Sequence, residues 1–130
     1  MRANKFVRIG IIGLTIGTMF SLAAPAMAKD GDVIKRGSCS GAADWKLKLG
    51  TEDGGKIEVE FEVEHAKPGQ QWTVKLADNG MKFFTGSKTA NGFGKFEVRK
   101  LAANQPGSDT VKATATNTVT GQVCNAGATL

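Results

Sequence analysis

Residues 56–65 read Lys-Ile-Glu-Val-Glu-Phe-Glu-Val-Glu-His, and apolar and acidic side chains alternate along this stretch without a break. A period of two is typical of a β-strand, because successive side chains leave a pleated chain on opposite sides. One face therefore meets a core, and the glutamate face is expected to meet water. The apolar face consists of Ile57, Val59, Phe61 and Val63. We expect this strand to lie at the centre of the fold.

Similar alternating runs fill most of the remaining chain and are separated by turn signals. Asp53-Gly54, Asn79-Gly80 and Asn91-Gly92 are residue pairs that tolerate the positive φ of tight turns. No stretch has a helical period. The sequence therefore predicts an all-β fold, an immunoglobulin-like antiparallel β-sandwich or a barrel, of about seven strands plus a short N-terminal strand. The predicted strands cover residues 33–39, 45–49, 56–65, 71–76, 81–85, 95–99, 109–117 and 123–130.

The charges on the first predicted hairpin are complementary. Residues 45–49, Trp-Lys-Leu-Lys-Leu, alternate apolar with basic side chains and precede the Asp53-Gly54 turn. Pairing across this turn sets lysines opposite the glutamates of residues 58–64, with Arg99 on a further neighbour. The same glutamates could bind Ca²⁺, which prefers carboxylate oxygens. Carboxylates spaced along a flat strand diverge, however, so the sequence favours charge pairing.

The first 28 residues have the pattern of a cleaved Sec signal peptide. Residues 1–8 are basic, residues 9–22 are apolar, and Ala26-Met27-Ala28 supplies a small-x-small cleavage site. The alternative is a retained anchor, but the apolar run is shorter than the ~18 residues that a membrane span needs. We expect a secreted, extracellular domain of residues 29–130 with no membrane span after cleavage.

Removing the leader changes the charge balance. The full chain has 17 basic and 12 acidic residues, and the leader takes Arg2, Lys5 and Arg8 with it. The remaining net charge of +2 gives no concentrated basic stripe, so the composition argues against nucleic-acid binding. The length of residues 29–130 fits one domain, which we expect to be a monomer.

The two cysteines, Cys39 and Cys124, are an even pair in a chain that carries an export signal, so we expect them to form a disulfide. The alternative is that residues 37–41, Gly-Ser-Cys-Ser-Gly, form a nucleophile elbow. An elbow needs a strand-to-helix turn and a nearby base. No helical pattern follows, and the only histidine is His65.

His65 is a candidate metal ligand that the pattern does not favour. Strand parity turns it away from Glu62 and Glu64, the nearest acids. We therefore expect a solvated histidine and neither a metal site nor a cofactor.

The order of the predicted strands can be compared with that of known β-sandwich families. Trp72 lies on the third main strand, and residues 109–113, Asp-Thr-Val-Lys-Ala, open the sixth. In this the chain resembles an immunoglobulin-like or fibronectin-III-like sandwich. It departs from the antibody pattern because Val111 and Ala113 stand where that pattern has tyrosine and cysteine. The resemblance implies a disulfide that fastens the N-terminal strand to the last strand.

The predicted mature chain is also similar to small secreted proteins of actinobacteria of unknown function. This similarity implies fold and export but transfers no active site. The motifs that carry it are Gly37-Ser38-Cys39-Ser40, Asp44-Trp45-Lys46-Leu47-Lys48 and Asn117-x-x-Thr120-Gly121-x-x-Cys124.

The aromatic residues offer two candidate sites. Trp45 and Trp72 could form a sugar-stacking platform, but both fall on the inward parity of their strands, which favours core packing. Phe83 and Phe84 are adjacent and cannot both face one core on a regular strand, while Phe93 stands between two glycines. The predicted patch for a partner is therefore Lys82, Phe84, Lys88 and Phe93. The alternative is that a bulge or the edge of the sandwich buries the phenylalanines.

The sequence predicts a function without catalysis. It has no nucleophile with a base, no paired carboxylates in a plausible cleft and no phosphate loop. We expect a secreted, non-catalytic binding or surface-interaction module whose partner is a protein or a cell-surface ligand. The alternatives are a small-molecule carrier, an inhibitor of a secreted hydrolase and a structural envelope component.

Overall fold

A computed structural model describes residues 28–130, so the predicted signal peptide, apart from Ala28, lies outside the described residues. Eight β-strands form two antiparallel sheets, which confirms the all-β sandwich. The strands are β1 Val33–Ser38, β2 Asp44–Glu52, β3 Lys56–Glu64, β4 Gln71–Asp78, β5 Met81–Thr89, β6 Phe96–Ala103, β7 Thr110–Asn117 and β8 Val123–Thr129. Over residues 28–130, no helix is long and apolar enough to cross a membrane.

The strand order is that of an immunoglobulin-like sandwich with one strand added. The first sheet has the order β1-β2-β3-β6, and the second has the order β5-β4-β7-β8. With β1 set aside, β2, β3 and β6 correspond to strands A, B and E, and the second sheet corresponds to C′, C, F and G. Trp72 lies on β4, the third main strand, as the sequence predicted.

The central strand is β3, which pairs with β2 on one side and β6 on the other. Its four apolar side chains are fully buried against the apolar side chains of the second sheet. Burying four such side chains contributes about 6 to 12 kcal/mol before chain entropy is counted. The alternation of residues 56–65 therefore determines which face of the first sheet meets the core.

The Asn79-Gly80 turn joins β4 to β5 with positive φ at both residues, 49° and 84°, as a type I′ hairpin requires. The Asn79 side chain also anchors the segment that leads into β7. Its Oδ1 accepts a hydrogen bond from the Thr110 amide at 2.9 Å, and its Nδ2 donates to the Ser108 carbonyl at 3.0 Å.

A β-bulge in β5 explains the adjacent phenylalanines. Leu76 of β4 pairs with Phe84 and the next residue, Ala77, pairs with Lys82, so Phe83 is the extra residue. Phe83 and Phe84 are both partly buried and pack against the core. The bulge lets two consecutive side chains turn inward.

The disulfide joins Cys39, just after β1, to Cys124 in β8, which confirms the predicted pairing and its place in the fold. Cys39 is therefore not a free thiol. Ser40 adds two hydrogen bonds to the same junction, because its amide donates to the Val123 carbonyl at 2.8 Å and its hydroxyl accepts from the Val123 amide at 2.9 Å.

The connections collect at two opposite ends of the sandwich because neighbouring strands run in opposite directions. Four connections lie at one end, which we call the loop end: residues 39–43, 65–70, 90–95 and 118–122. The other end holds the turns at residues 53–55 and 79–80 and the connection at residues 104–109. Residues 28–32 and Leu130 also lie at this far end, where Lys29 Nζ is 2.6 Å from Glu52 Oε2.

Candidate functional site at the loop end

Phe84 from the predicted patch lies in the middle of β5, at the edge of the sandwich. Its ring covers Gly86, where an added Cβ would come within 2.6 Å of the ring. Lys100 from β6 crosses over the ring, with Nζ 4.7 Å from the ring centroid. The Phe84 ring is thus already engaged by the edge of the opposite sheet.

Phe93 lies elsewhere, in the loop between β5 and β6, with 87% of its surface exposed. Thr89, the last residue of β5, lies five positions after Phe84, which is about 16 Å at ~3.3 Å per residue. Lys82 is exposed near the start of β5, and Lys88 is partly buried near its end. The structure spreads the four predicted residues along β5 and the next loop, and their role in binding stays a prediction.

Phe93 has a counterpart that the sequence analysis did not single out. In residues 28–130 the exposed large apolar side chains are Met81, Phe93, Leu101 and Val119. Phe93 and Val119 are the two most exposed of these, at 87% and 69%, and both lie at the loop end. Two of these four exposed apolar side chains therefore lie at the loop end.

The backbone at each of these two residues is held by the side chain of an asparagine two residues earlier. Asn91 Oδ1 accepts hydrogen bonds from the amides of Phe93 at 2.9 Å and Lys95 at 3.1 Å. Asn117 Oδ1 accepts from the amide of Val119 at 2.8 Å, and also from the next amide at 3.0 Å. Such side-chain bonds fix a loop without help from a partner.

The loop of residues 65–70 is bonded to the loops on both sides of it. Towards the Phe93 loop, the Ala66 amide donates to the Gly94 carbonyl at 2.9 Å. Gly94 has a φ of 76°, and an added Cβ would collide with the Ala66 carbonyl oxygen, so only glycine fits this approach. Towards the Val119 loop, Asn117 Nδ2 donates to Gln70 Oε1 at 2.8 Å. These hydrogen bonds link the three loops.

A cleft of about 400 Å³ lies beside these loops, where β1, β2 and the end of β3 meet. It is lined by Arg36, Gly37, Asp44, Trp45, Lys46, Glu64 and His65. Trp72 is fully buried, as predicted, and its ring centroid lies 5.6 Å from that of Phe96. Trp45 is partly buried at the margin of the core, on the inward face of its strand as predicted. Trp45 packs against the core and also lines the cleft.

Gly37 determines how the Trp45 ring sits. The two residues are paired across β1 and β2, and a Cβ added to Gly37 would come within 2.6 Å of the indole ring. Without that Cβ, the ring can lie against the backbone of β1. The glycine therefore allows the indole ring to pack closely on the core-facing side of the sheet.

His65 stands at the rim of the cleft in a left-handed conformation, with a φ of 59°. Few residues with a Cβ adopt this region, and those that do often lie at functional sites. The conformation breaks strand parity and brings His65 Nδ1 within 2.8 Å of Asp44 Oδ2. The carboxylate accepts from Nδ1–H, which leaves Nε2 without the proton in the neutral ring.

The charges in the cleft are unevenly paired. Lys46 Nζ is 3.4 Å from Glu62, and Glu64 is 3.9 Å from Lys95 Nζ. Arg36 is exposed and makes no ion pair with any of residues 28–130. The cleft therefore contains one guanidinium whose donors have no carboxylate partner.

The glutamate row of β3 is paired with basic residues, as predicted. Glu60 is held between Lys48 Nζ at 3.5 Å and Arg99 at 2.9 Å. Glu60 and Lys48 are buried, at 4% and 5% exposure, so the expectation that this whole face meets water is wrong for them. They lie on the two inner strands of the sheet, where long side chains of the flanking strands cover them.

Glu97 on β6 places a second carboxyl beside Glu60. Burial disfavours the charge on Glu60, but hydrogen bonds from Glu97 and Arg99 outweigh it and hold the pKa of Glu60 well below its ordinary value. The hydrogen bond to Glu60, with burial, raises the pKa of Glu97 to about 7. These charges stabilise the sheet and lie outside the cleft.

Comparison with known proteins adds no relative. No family model matches the chain, and no curated protein or solved structure matches it. The similarity to small secreted actinobacterial proteins therefore stays a prediction from short motifs.

Proposed function

We propose that this protein is a secreted, non-catalytic binding module that engages a protein partner through its loop end. The observation that carries the proposal is the presence of Phe93 and Val119 at one end, both exposed and both on loops fixed by an asparagine. Exposed apolar side chains lower the solubility of the free protein, and a partner that covers them recovers their burial energy.

The rigidity of the loops supports the same proposal. A loop that is ordered before binding loses little conformational entropy when the partner arrives. The polar and basic side chains around Phe93 and Val119, such as Lys67 and Lys95, form the kind of rim that surrounds the apolar centre of many interfaces. Phe84 is not part of this surface, because Lys100 already covers its ring.

Export of the domain is part of the proposal. Its support is the disulfide between Cys39 and Cys124, since such bonds persist in oxidising compartments. The leader pattern of residues 1–28 points the same way. A role as an inhibitor of a secreted hydrolase uses the same loop end and differs only in the partner.

The test compares two double variants in capture of partners from the organism's own culture medium and envelope extract. Phe93→Ser with Val119→Ser should reduce capture roughly 30-fold, because removing two central apolar contacts costs about 2 kcal/mol or more. The matched control is Met81→Ser with Leu101→Ser, which removes comparable exposed apolar area outside the loop end.

The control variant should capture as well as the native protein, and both variants should keep its melting temperature. Equal capture by both variants would refute a binding role for the loop end. A large fall in melting temperature for Phe93→Ser with Val119→Ser would show that these side chains stabilise the fold instead.

A further inference from the structure

We propose that the outer face of the second sheet binds an extended acidic polysaccharide whose sugars carry carboxylates. This sheet consists of β4, β5, β7 and β8, and its outer face is formed by the side chains that alternate with the buried ones. The face is separate from Phe93 and Val119, which lie on connections at the loop end. The proposal goes beyond partner binding by the loops and does not depend on it.

The two sheets differ in the charges that their strands carry. The strands of the first sheet have equal numbers of acidic and basic residues, seven of each. The strands of the second sheet have four lysines, and their one acidic residue, Asp78, is buried. No carboxylate is therefore exposed on the strands of the second sheet. The low net charge of the domain does not reveal this separation.

Three of the four lysines, Lys75, Lys82 and Lys112, form a triangle on the outer face, which we call the lysine triangle. Lys82 of β5 and Lys112 of β7 both pair with Ala77 of β4, so their Cα atoms lie about 10 Å apart at ~4.8 Å per strand. Lys75 precedes Ala77 by two residues and lies diagonally about 8 Å from Lys112. All three are exposed, and none forms an ion pair with any of residues 28–130. The triangle therefore presents three ammonium groups without a counter-charge.

Hydroxyl groups lie beside the lysine triangle on the same face. The residues paired with Lys75 on both sides are threonines, and those paired with Thr73 are a serine and a threonine: Thr85, Thr114, Ser87 and Thr116. A side-chain hydroxyl can donate a hydrogen bond to a carboxylate and can both donate to and accept from the hydroxyl of a sugar. The face therefore combines cations with groups that form hydrogen bonds with a saccharide.

The composition of this face favours a polysaccharide over other anionic partners. Protein interfaces have an apolar or aromatic centre, and proteins that bind single-stranded nucleic acid stack its bases on aromatic side chains. The outer face of the second sheet has no aromatic residue, and its apolar side chains are limited to Ala77 and Val123. Duplex DNA carries one charge per ~1.7 Å, far denser than the lysine triangle. A chain with one carboxylate per sugar is closer to the triangle in charge density.

The experiment titrates the protein by calorimetry at low salt with three probes, namely octagalacturonate, the uncharged maltooctaose and a short DNA duplex. Octagalacturonate should bind saturably and more tightly than the other two, and added salt should weaken its binding because exposed charges are screened. The triple variant Lys75→Gln, Lys82→Gln and Lys112→Gln should weaken octagalacturonate roughly tenfold, since each exposed ion pair contributes modestly.

The matched control removes three exposed basic residues from the first sheet, Lys35→Gln, Arg36→Gln and Lys56→Gln, and so changes the net charge by the same amount. It should bind octagalacturonate like the native protein. Phe93→Ser with Val119→Ser should also bind it normally, which separates this proposal from that for the loop end. All these variants should keep the native melting temperature, because every substituted side chain is exposed.

Four results would overturn the proposal. Octagalacturonate might fail to bind saturably, or maltooctaose might bind equally well, which would remove the role of the carboxylates. Tighter binding of the DNA duplex would assign the face to nucleic acid instead. Equal affinities of the two triple variants for octagalacturonate would show that the lysine triangle is not the site.

Discussion

Two buried carboxyl groups, Asp78 at the end of β4 and Asp109 just before β7, face each other away from water. Each is only 2% exposed. The Gln105 amide donates to Asp109 Oδ1 at 3.0 Å, while neither oxygen of Asp78 receives a hydrogen bond from any other group of residues 28–130. Burial and the neighbouring Asp109 carboxyl raise the pKa of Asp78 to about 6. The pair therefore holds a proton between its two carboxyls in mildly acidic solution.

This pair makes the stability of the fold depend on pH. The pKa of Asp78 is higher in the folded state than the value of about 4 in an unfolded chain, so its contribution is complete below about pH 4 and is lost as the pH rises through about 6. Asp78→Asn keeps a donor towards Asp109 and has no proton to lose. We expect it to stabilise the protein at pH 7.5 by about 2 to 3 kcal/mol and to have little effect at pH 4.5.

Thermal unfolding at the two pH values measures this effect. A gain of about 2 kcal/mol corresponds to roughly 8 to 16 °C for a domain of this size. Asp53→Asn is the matched control, because Asp53 is exposed in a turn and should show no such difference. An Asp78→Asn variant that is less stable than the native protein at pH 7.5 would contradict a shared proton.

At the scale of the strands, the bond between Cys39 and Cys124 joins the first strand to the last. It links residues 85 positions apart, and closing a loop of that length lowers the free energy of the folded state relative to the unfolded chain by about 4 to 5 kcal/mol in the chain-entropy treatment. We expect Cys39→Ala with Cys124→Ala to lose an amount of this order in denaturant titrations.

The native protein under reducing conditions should match the double variant, because both lack the same covalent link. A loss below about 1 kcal/mol would indicate that the contacts of β1 and β8, including those of Ser40, hold the junction without the bond.

The strands could be predicted from the sequence because each alternates apolar and polar residues and is bounded by a turn signal. Parity failed where the backbone departs from a regular strand. His65 adopts a left-handed φ, so its side chain reaches Asp44, which strand parity could not reveal. The Asp53-Gly54 turn did indicate this contact. A hairpin centred on that turn pairs Asp44 with Glu64, and His65 directly follows Glu64, so Asp44 comes near His65.

The burial of side chains on the outer face of the first sheet could not be predicted from the sequence either. Glu60 and Lys48 follow the polar alternation of their strands, yet both are buried. Their burial depends on the side chains of neighbouring strands, and Arg99 comes from β6, which is distant in sequence. The pattern could indicate the charge pairs but not their exclusion from water.

At the scale of the whole molecule, the sequence identified Phe93 but grouped it with Phe84, which is close in sequence and distant in space. Val119 was missed because nothing in the sequence indicates that the loop of residues 118–122 lies at the same end of the sandwich as that of residues 90–95. This shared position follows from the topology, which puts both connections at one end. A local signal did exist, since an asparagine precedes each of the two residues by two positions.

The position of the chain's described ends opposite the loops has a practical consequence. Lys29 is bound to Glu52, and the backbone of Leu130 is paired with that of Asp109, so both exits point away from Phe93 and Val119. A sensor surface to which the domain is attached through either exit should capture the partner equally well. Attachment through biotin on Lys67→Cys, within the loop end, should block capture, and equal capture from all three orientations would contradict the proposed interface. If either exit is joined to a stalk or a scaffold, the loop end would face away from the point of attachment.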